Sequence, residues 1–137
     1  MLSRAMRRIL VVEDSGATRA LVRAVLEDAT FAGDYEGVEV AEASCGFDAM
    51  RMLPRGRYDL IVTDLNMADI NGLELIHFIR RSEHYRETPL VIISTQNTKQ
   101  DIDRGLALGA NAYVPKPFTP EQLRDTVGRL LKTGHAA

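Results

Sequence analysis

The sequence predicts an α/β fold in which one parallel β-sheet is covered by helices on both faces. Short apolar runs alternate with five stretches of helical period along the chain. Most of these runs are rich in valine and isoleucine without strict polar alternation, as strands buried on both faces are. Because 137 residues are about one domain's worth of chain, we expect residues 1–137 to form a single domain with its core at about 7–132.

Five runs are predicted to be strands. The second run alternates polar and apolar residues and is therefore expected to be an edge strand. The segment Asp28–Gly37, which precedes it, is expected to be an irregular insertion. The predicted strands are Arg8–Glu13, Val38–Ala43, Tyr58–Asp64, Pro89–Ser94 and Ala112–Pro115.

A helix is predicted after each strand from apolar residues at helical spacing. Pro54 is expected to end the short second helix, and Gly109 is predicted to be the C-cap of the fourth. Thr119, Pro120 and Gln122 have the order of an N-cap, an N1 proline and a capping box at the start of the fifth helix.

Composition and charge exclude several functions. Hydrophobic residues make up 45% and charged residues 26%, a balance typical of globular domains. The formal charge of −2 lacks the basic excess of a nucleic-acid binder. No apolar run approaches the roughly 18 residues that cross a bilayer. A single cysteine, Cys45, favours a reducing compartment, so we expect a cytoplasmic protein that does not bind nucleic acid and does not insert into a membrane.

Polar side chains follow four of the predicted strands, at the edge where parallel α/β sheets place their functional crevice. Glu13 and Asp14 end the first strand or follow it, Asp64 ends the third, Ser94 ends the fourth, and Lys116 follows the fifth. Each carboxylate alone is explained by helix or turn capping. Together, three unpartnered carboxylates repel one another, by roughly 4 kcal/mol for a pair 4 Å apart at a dielectric near 20, and Mg²⁺ would offset this repulsion.

A magnesium ion beside a carboxylate, a lysine and a hydroxyl predicts phosphoryl transfer. Asp64 would be the nucleophile and would form an acyl phosphate. Mg²⁺ and Lys116 would neutralise the phosphoryl oxygens, and Ser94 would donate a hydrogen bond to one of them.

Five segments carry a resemblance to the receiver domain of two-component response regulators. The match covers nearly the whole chain, so the chain is similar to the stand-alone, CheY-like members of the family. This resemblance implies a five-stranded, doubly wound parallel sheet of strand order 2-1-3-4-5. The segments are LVVED at 10–14, DLIVTDLNM at 59–67, NGLEL at 71–75, PLVIIS at 89–94 and AYVPKPF at 112–118.

The resemblance implies a signalling phosphoacceptor rather than an enzyme, although one that can promote its own phosphorylation and dephosphorylation. Asp64 would be phosphorylated by a histidine kinase or a histidine phosphotransfer protein. Glu13, Asp14, Asp64 and the backbone carbonyl of Asn66 would bind Mg²⁺. Either a diffusible messenger or a phosphorelay intermediate fits this resemblance.

A switch is also implied by the resemblance. Ser94 would move toward the phosphoryl group and Tyr113 would turn into the vacated space, which changes the surface of helix 4, strand 5 and helix 5 for a downstream protein. The bond between Lys116 and Pro117 would be cis.

The chain departs from the family pattern near Asp64. Ala68 stands where proline is common, which predicts a less rigid loop, and Thr95 stands where a smaller residue is common. Asn66 and Gln96 occupy the positions that tune hydrolysis of the acyl phosphate.

Two other functions fit parts of the pattern. A Mg²⁺-dependent phosphatase would also use an aspartyl phosphate, but it needs a second acid where this chain has Asn66. A flavodoxin-like flavin carrier is suggested by the small residues at 15–18, but Glu13 and Asp14 would repel a bare phosphate there.

Overall fold

The computed structural model describes residues 6–28, 37–95 and 98–135. In these ranges strands and helices alternate along the chain, as predicted, while most of the expected insertion, residues 29–36, lies outside the described residues. The elements are β1 (Arg7–Val12), α1 (Gly16–Leu26), β2 (Val38–Ala43), α2 (Gly46–Met52), β3 (Leu60–Asp64), α3 (Gly72–Arg81), β4 (Leu90–Ser94), α4 (Lys99–Ala107), β5 (Ala112–Pro115) and α5 (Pro120–His135).

The strands form one parallel sheet in the order β2-β1-β3-β4-β5, which confirms the predicted fold class and strand order. The alternating strand, β2, is at an edge of the sheet, as predicted. Asp64 at the end of β3 is in register with Ile93, and Ser94 is in register with Pro115. The carboxyl ends of β3, β4 and β5 are therefore level with one another.

Each face of the sheet has its own apolar cluster. On one face, Ile9 and Val11 of β1 pack with side chains of α1 and α5. On the other face, Leu10 and Val12 pack with side chains of α2 and α3. All residues of β3 and β4 are buried, as expected for strands covered on both sides.

One of the three predicted helix ends agrees fully with the structure, and the other two differ from it by one or two residues. The capping box is confirmed: the Thr119 amide donates to Gln122 Oε1 at 2.9 Å, and the Gln122 amide donates to Thr119 Oγ1 at 3.1 Å. The C-cap of α4 is Leu108 rather than Gly109, and Gly109 follows it with a φ of 119°, a conformation that suits glycine directly after the C-cap. Pro54 lies in the 3₁₀ turn Leu53–Arg55 that follows α2, so the α-helix itself ends just before it, at Met52.

Candidate functional site

Three charged side chains meet at the carboxyl edge of the sheet. Lys116 Nζ lies 2.6 Å from Glu13 Oε1 and 2.8 Å from Asp64 Oδ2. The side chain of Glu13 is 1% exposed and that of Asp64 is 7% exposed. Two buried carboxylates thus share one ammonium group, which leaves a net negative charge where water has little access.

Glu13 is held by the turn between β1 and α1. Its Oε2 accepts a hydrogen bond from the Ser15 amide at 3.0 Å, and its backbone carbonyl accepts one from Arg19 Nη1 at 2.8 Å. Burial raises the pKa of Glu13 above its usual range, although Lys116 and the Ser15 amide oppose the rise, and the charge of Asp64 adds to it. A further positive charge at this site would therefore be favourable.

Asp64 is held at the end of β3 by the connection that leads into α3. Its Oδ1 accepts from the Asn66 amide at 3.2 Å. Gly72, at the start of α3, packs on the Asp64 backbone so closely that an added Cβ would lie 2.4 Å from its carbonyl oxygen. The Gly72 amide also donates to the Leu65 carbonyl at 2.9 Å, so the loop closes at its base.

Lys116 reaches the two carboxylates from the end of β5. Its amide donates to the Ser94 carbonyl at 2.9 Å, and the peptide bond to Pro117 is cis, as the family resemblance implied. Burial disfavours the charged ammonium, but hydrogen bonds to Asp64 and Glu13 outweigh it and raise the pKa of Lys116. The lysine therefore stays protonated at neutral pH.

The structure also brings Ser94 and Tyr113 together. Ser94 is fully buried at the end of β4. The hydroxyl oxygen of Tyr113 is buried as well, so the ring is already turned inward, close to Gly105 of α4. Burial raises the pKa of the Tyr113 hydroxyl, and the nearby Ser94 side chain opposes that rise.

The three predicted acidic metal ligands are only partly assembled. Glu13 and Asp64 meet at Lys116, whereas Asp14 is exposed. Among the described residues, no group of three or more histidine, cysteine, aspartate or glutamate side chains is arranged to hold a metal ion. The donors nevertheless fit Mg²⁺, because they are carboxylate oxygens and a peptide carbonyl, and the two buried carboxylates have more negative charge than Lys116 neutralises.

The remaining residues singled out from the sequence lie in the connections that follow β3 and β4. The backbone amide of Asn66 donates a hydrogen bond to the Asp64 carboxylate. Ala68 and Thr95 are both exposed. Gln96 lies outside the described residues, so its tuning role stays a prediction. Among the described helices, none is both long enough and apolar enough to span a bilayer.

Two residues near the site were not singled out from the sequence. Arg19 holds the Glu13 carbonyl and also pairs with Glu42 of β2 at 3.0 Å. Asp69, in the connection between β3 and α3, accepts from the amides of Gly46 and Phe47 in α2. The sequence held one indication of this contact. Cysteine is a poor N-cap residue, so a helix that begins after Cys45 needs an acceptor from elsewhere in the chain.

The fold and the site together define a doubly wound domain with a charged cluster at the carboxyl edge of its sheet. The chain matches the response regulator receiver domain family over residues 9–128 and belongs to that family. Receiver domains of this kind are signalling components of two-component systems rather than enzymes in the usual sense.

Relatives and solved structures agree with this assignment. The chain is 33% identical over 128 residues to a chemotaxis protein CheY homolog of Campylobacter jejuni, covering 93% of this chain and 94% of the relative. The structure of CheY4 from Vibrio cholerae aligns with a TM-score of 0.82 at 32% identity, covering 92% of this chain and 99% of that one.

A second similar structure is the receiver domain of a sensor histidine kinase from Pseudomonas aeruginosa. It aligns with a TM-score of 0.80 at 26% identity and covers 93% of this chain and 99% of its own. That protein has a magnesium ion coordinated in its active site cleft.

Proposed function

We propose that this protein is a response regulator receiver whose Asp64 accepts a phosphoryl group from a histidine kinase or a histidine phosphotransfer protein. The observation that carries the proposal is the shared contact of Lys116 with Glu13 and Asp64, at 2.6 and 2.8 Å. A structural ion pair needs one carboxylate for one lysine, whereas this arrangement keeps a second buried carboxylate beside the acceptor.

In the transfer, an Asp64 oxygen forms a bond to phosphorus while the bond from phosphorus to the donor's imidazole nitrogen breaks. The departing imidazole keeps the electron pair of that bond, and water or a neighbouring acid protonates it. Lys116 is close enough to Asp64 to pair with the phosphoryl oxygens, and Ser94 can donate its hydroxyl hydrogen to one of them. Small acyl phosphates carry the same transferable group, so they should also phosphorylate the protein.

Magnesium would be held by Glu13, Asp14, Asp64 and the backbone carbonyl of Asn66. When bound, Mg²⁺ supplies positive charge that favours the approach of the phosphoryl group to a carboxylate. The magnesium ion in the active site cleft of the related kinase receiver supports a magnesium site in the corresponding cleft of this protein. Asn66 and Gln96 would then set how fast water hydrolyses the acyl phosphate.

The phosphoryl group would act as a switch through Ser94 and Tyr113. Ser94 would shift toward the new oxygens, and Tyr113, whose hydroxyl is already buried, would turn further into the vacated space, which would remodel the surface of α4, β5 and α5 for a downstream protein. Moving such an equilibrium from 1:99 to 99:1 takes roughly 5.5 kcal/mol, and a few charge-assisted hydrogen bonds of about 1.5–3 kcal/mol each would supply it.

Incubation with acetyl phosphate and Mg²⁺, followed by intact-protein mass spectrometry, tests the proposal. We expect the mass of one phosphoryl group to be added to the wild type and none to Asp64→Asn. Asp103→Asn is a matched control, because Asp103 is an exposed aspartate of α4. If the wild type stays unmodified, or if Asp64→Asn is still modified, the proposed acceptor is wrong.

A further inference from the structure

The helix α2 begins without a cap of its own. Cys45 is at its N-cap position with an extended backbone, but its side chain makes no capping hydrogen bond. The first amides of a helix have no partner within the helix and need an acceptor from elsewhere. A thiol is a weak acceptor, so this helix end depends on another residue.

That acceptor is Asp69, which lies between β3 and α3 in the loop that follows Asp64. Its Oδ2 accepts from the Phe47 amide at 2.8 Å, and its Oδ1 accepts from the Gly46 amide at 3.1 Å. Oδ1 also accepts from the Ile70 amide at 2.8 Å. One carboxylate therefore caps α2 and holds its own loop at the same time.

Packing reinforces this contact between the loop and α2. The side chain of Ile70 lies so close to Gly46 that an added Cβ would be 2.3 Å from Ile70 Cγ1. Ile70 also packs with the apolar cluster on the α2 and α3 side of the sheet. The loop after Asp64 is thus closed at its base by Leu65 and Gly72 and fastened further along by Asp69 and Ile70.

We infer that Asp69 is a positioning residue that fixes the loop of Asn66 against α2, and so keeps the Asn66 backbone directed at Asp64. This inference rests on the proposed function, because the position of the loop matters for function only if the Asn66 backbone carbonyl binds Mg²⁺.

Three variants test the inference. Asp69→Ala removes the cap, and Asp69→Asn keeps a neutral acceptor in its place. The matched control is Asp48→Ala. Like Asp69, Asp48 is an aspartate at the amino end of α2, but it lies in the helix itself and contacts Ser44 and Arg51 rather than the loop. Each variant is measured by thermal melting, by amide hydrogen exchange in magnesium-free protein and by magnesium chloride titration followed by NMR.

We expect Asp69→Ala to speed exchange of the Asn66 amide and to raise the half-saturating magnesium concentration. Each change should be about fivefold, the factor that corresponds to a lost cap of about 1 kcal/mol. Asp69→Asn should recover most of both effects. Asp48→Ala should leave both quantities unchanged even if it lowers the melting temperature as much as Asp69→Ala does.

The inference is overturned if Asp69→Ala changes only the melting temperature and the exchange of the Gly46 and Phe47 amides, as a purely structural cap would. Failure of the proposed function gives a different result, namely a wild-type protein that takes no phosphoryl group. In that case exchange of the Asn66 amide, which needs neither metal nor phosphate, still decides whether Asp69 positions the loop.

Discussion

The two ends of β3 each have an aspartate next to a cationic side chain, but the two environments differ. Before the strand, Asp59 accepts from the Arg8 amide at 2.8 Å and lies 3.4 Å from Arg7 Nη1. Its side chain is 38% exposed. After the strand, Asp64 is 7% exposed and shares its ammonium partner, Lys116, with a second buried carboxylate.

This difference separates a structural aspartate from the aspartate that we propose as the phosphoacceptor. Asp59 joins β1 to β3, and its negative charge is balanced by an arginine and partly by solvent. At the other end, two carboxylates and one ammonium are enclosed together, so the charge is not balanced within the site. Burial of excess like charge, rather than the presence of an aspartate at a strand end, is the feature that makes the carboxyl edge the candidate functional edge.

The largest expected effect is the loss of the shared cation. Lys116→Ala leaves Glu13 and Asp64 buried without a partner, so we expect the free energy of unfolding without Mg²⁺ to fall by about 3 kcal/mol. Urea unfolding followed by circular dichroism measures it. Lys99→Ala is the control, because Lys99 pairs with Asp103 on the surface, with 90% and 61% of the side chains exposed, and it should change stability by less than ~0.5 kcal/mol. Equal losses for both variants would contradict the comparison.

A smaller loss is expected at the amino end of β3. Asp59→Ala removes the acceptor of the partly buried Arg8 amide, which should lower the free energy of unfolding by about 1.5 kcal/mol. Phosphorylation by acetyl phosphate should be unaffected, since the site lies at the opposite edge of the sheet. Loss of phosphorylation in a folded Asp59→Ala protein would mean that the two ends are not independent.

At the carboxyl end, the effect on stability should have the opposite sign. Asp64→Asn removes one of two crowded carboxylates while the contact of Lys116 with Glu13 remains. We expect the free energy of unfolding of the magnesium-free protein to rise by about 1 kcal/mol. This is well below the roughly 4 kcal/mol of two unpartnered like charges 4 Å apart at a dielectric near 20, because Lys116 already offsets part of the repulsion. Thermal melts in EDTA check this. A less stable variant would show that the carboxylates are not in net repulsion.

The smallest effect concerns acid pH. Partial burial disfavours the charge of Asp69, but the amides of Phe47, Gly46 and Ile70 outweigh it and lower the pKa from 3.8 to about 2. Because the folded pKa lies below the unfolded one, this stabilisation is complete above about pH 4 and is lost as the pH falls toward 2. Asp69→Asn cannot titrate at this position, so the difference in free energy of unfolding between the wild type and this variant should become smaller as the pH falls from about 4 to about 2. Because Asp69 is exposed, we expect the change in this difference to be less than ~1 kcal/mol. Urea unfolding at several pH values measures this, and a constant difference would contradict the assignment.

Much of the fold was predictable because its signals are local. Apolar runs without alternation predicted the buried β3 and β4, and alternation predicted the edge position of β2. The capping box at Thr119 and Gln122 needed only residues within one turn of helix. The strand order itself came from family resemblance rather than from these patterns.

The candidate site was predictable in its members but not in its arrangement. The rule that functional residues follow parallel strands placed Glu13, Asp64 and Lys116 at one edge, and they meet there. It did not distinguish buried Glu13 from exposed Asp14, although the two are adjacent in the chain. Successive residues at a strand end face different directions, and packing against the next turn decides which of them is enclosed.

The sequence by itself therefore determined the elements, their caps and the kinds of side chain at the carboxyl edge, because those depend on periodicity and on neighbours a few residues away. Only the tertiary structure decided that Lys116 is shared by two carboxylates and that Asp69 caps a helix begun 23 residues earlier, at Gly46. Such contacts join distant parts of the chain at separations of about 3 Å. They arise only when the sheet and its two helical layers have packed.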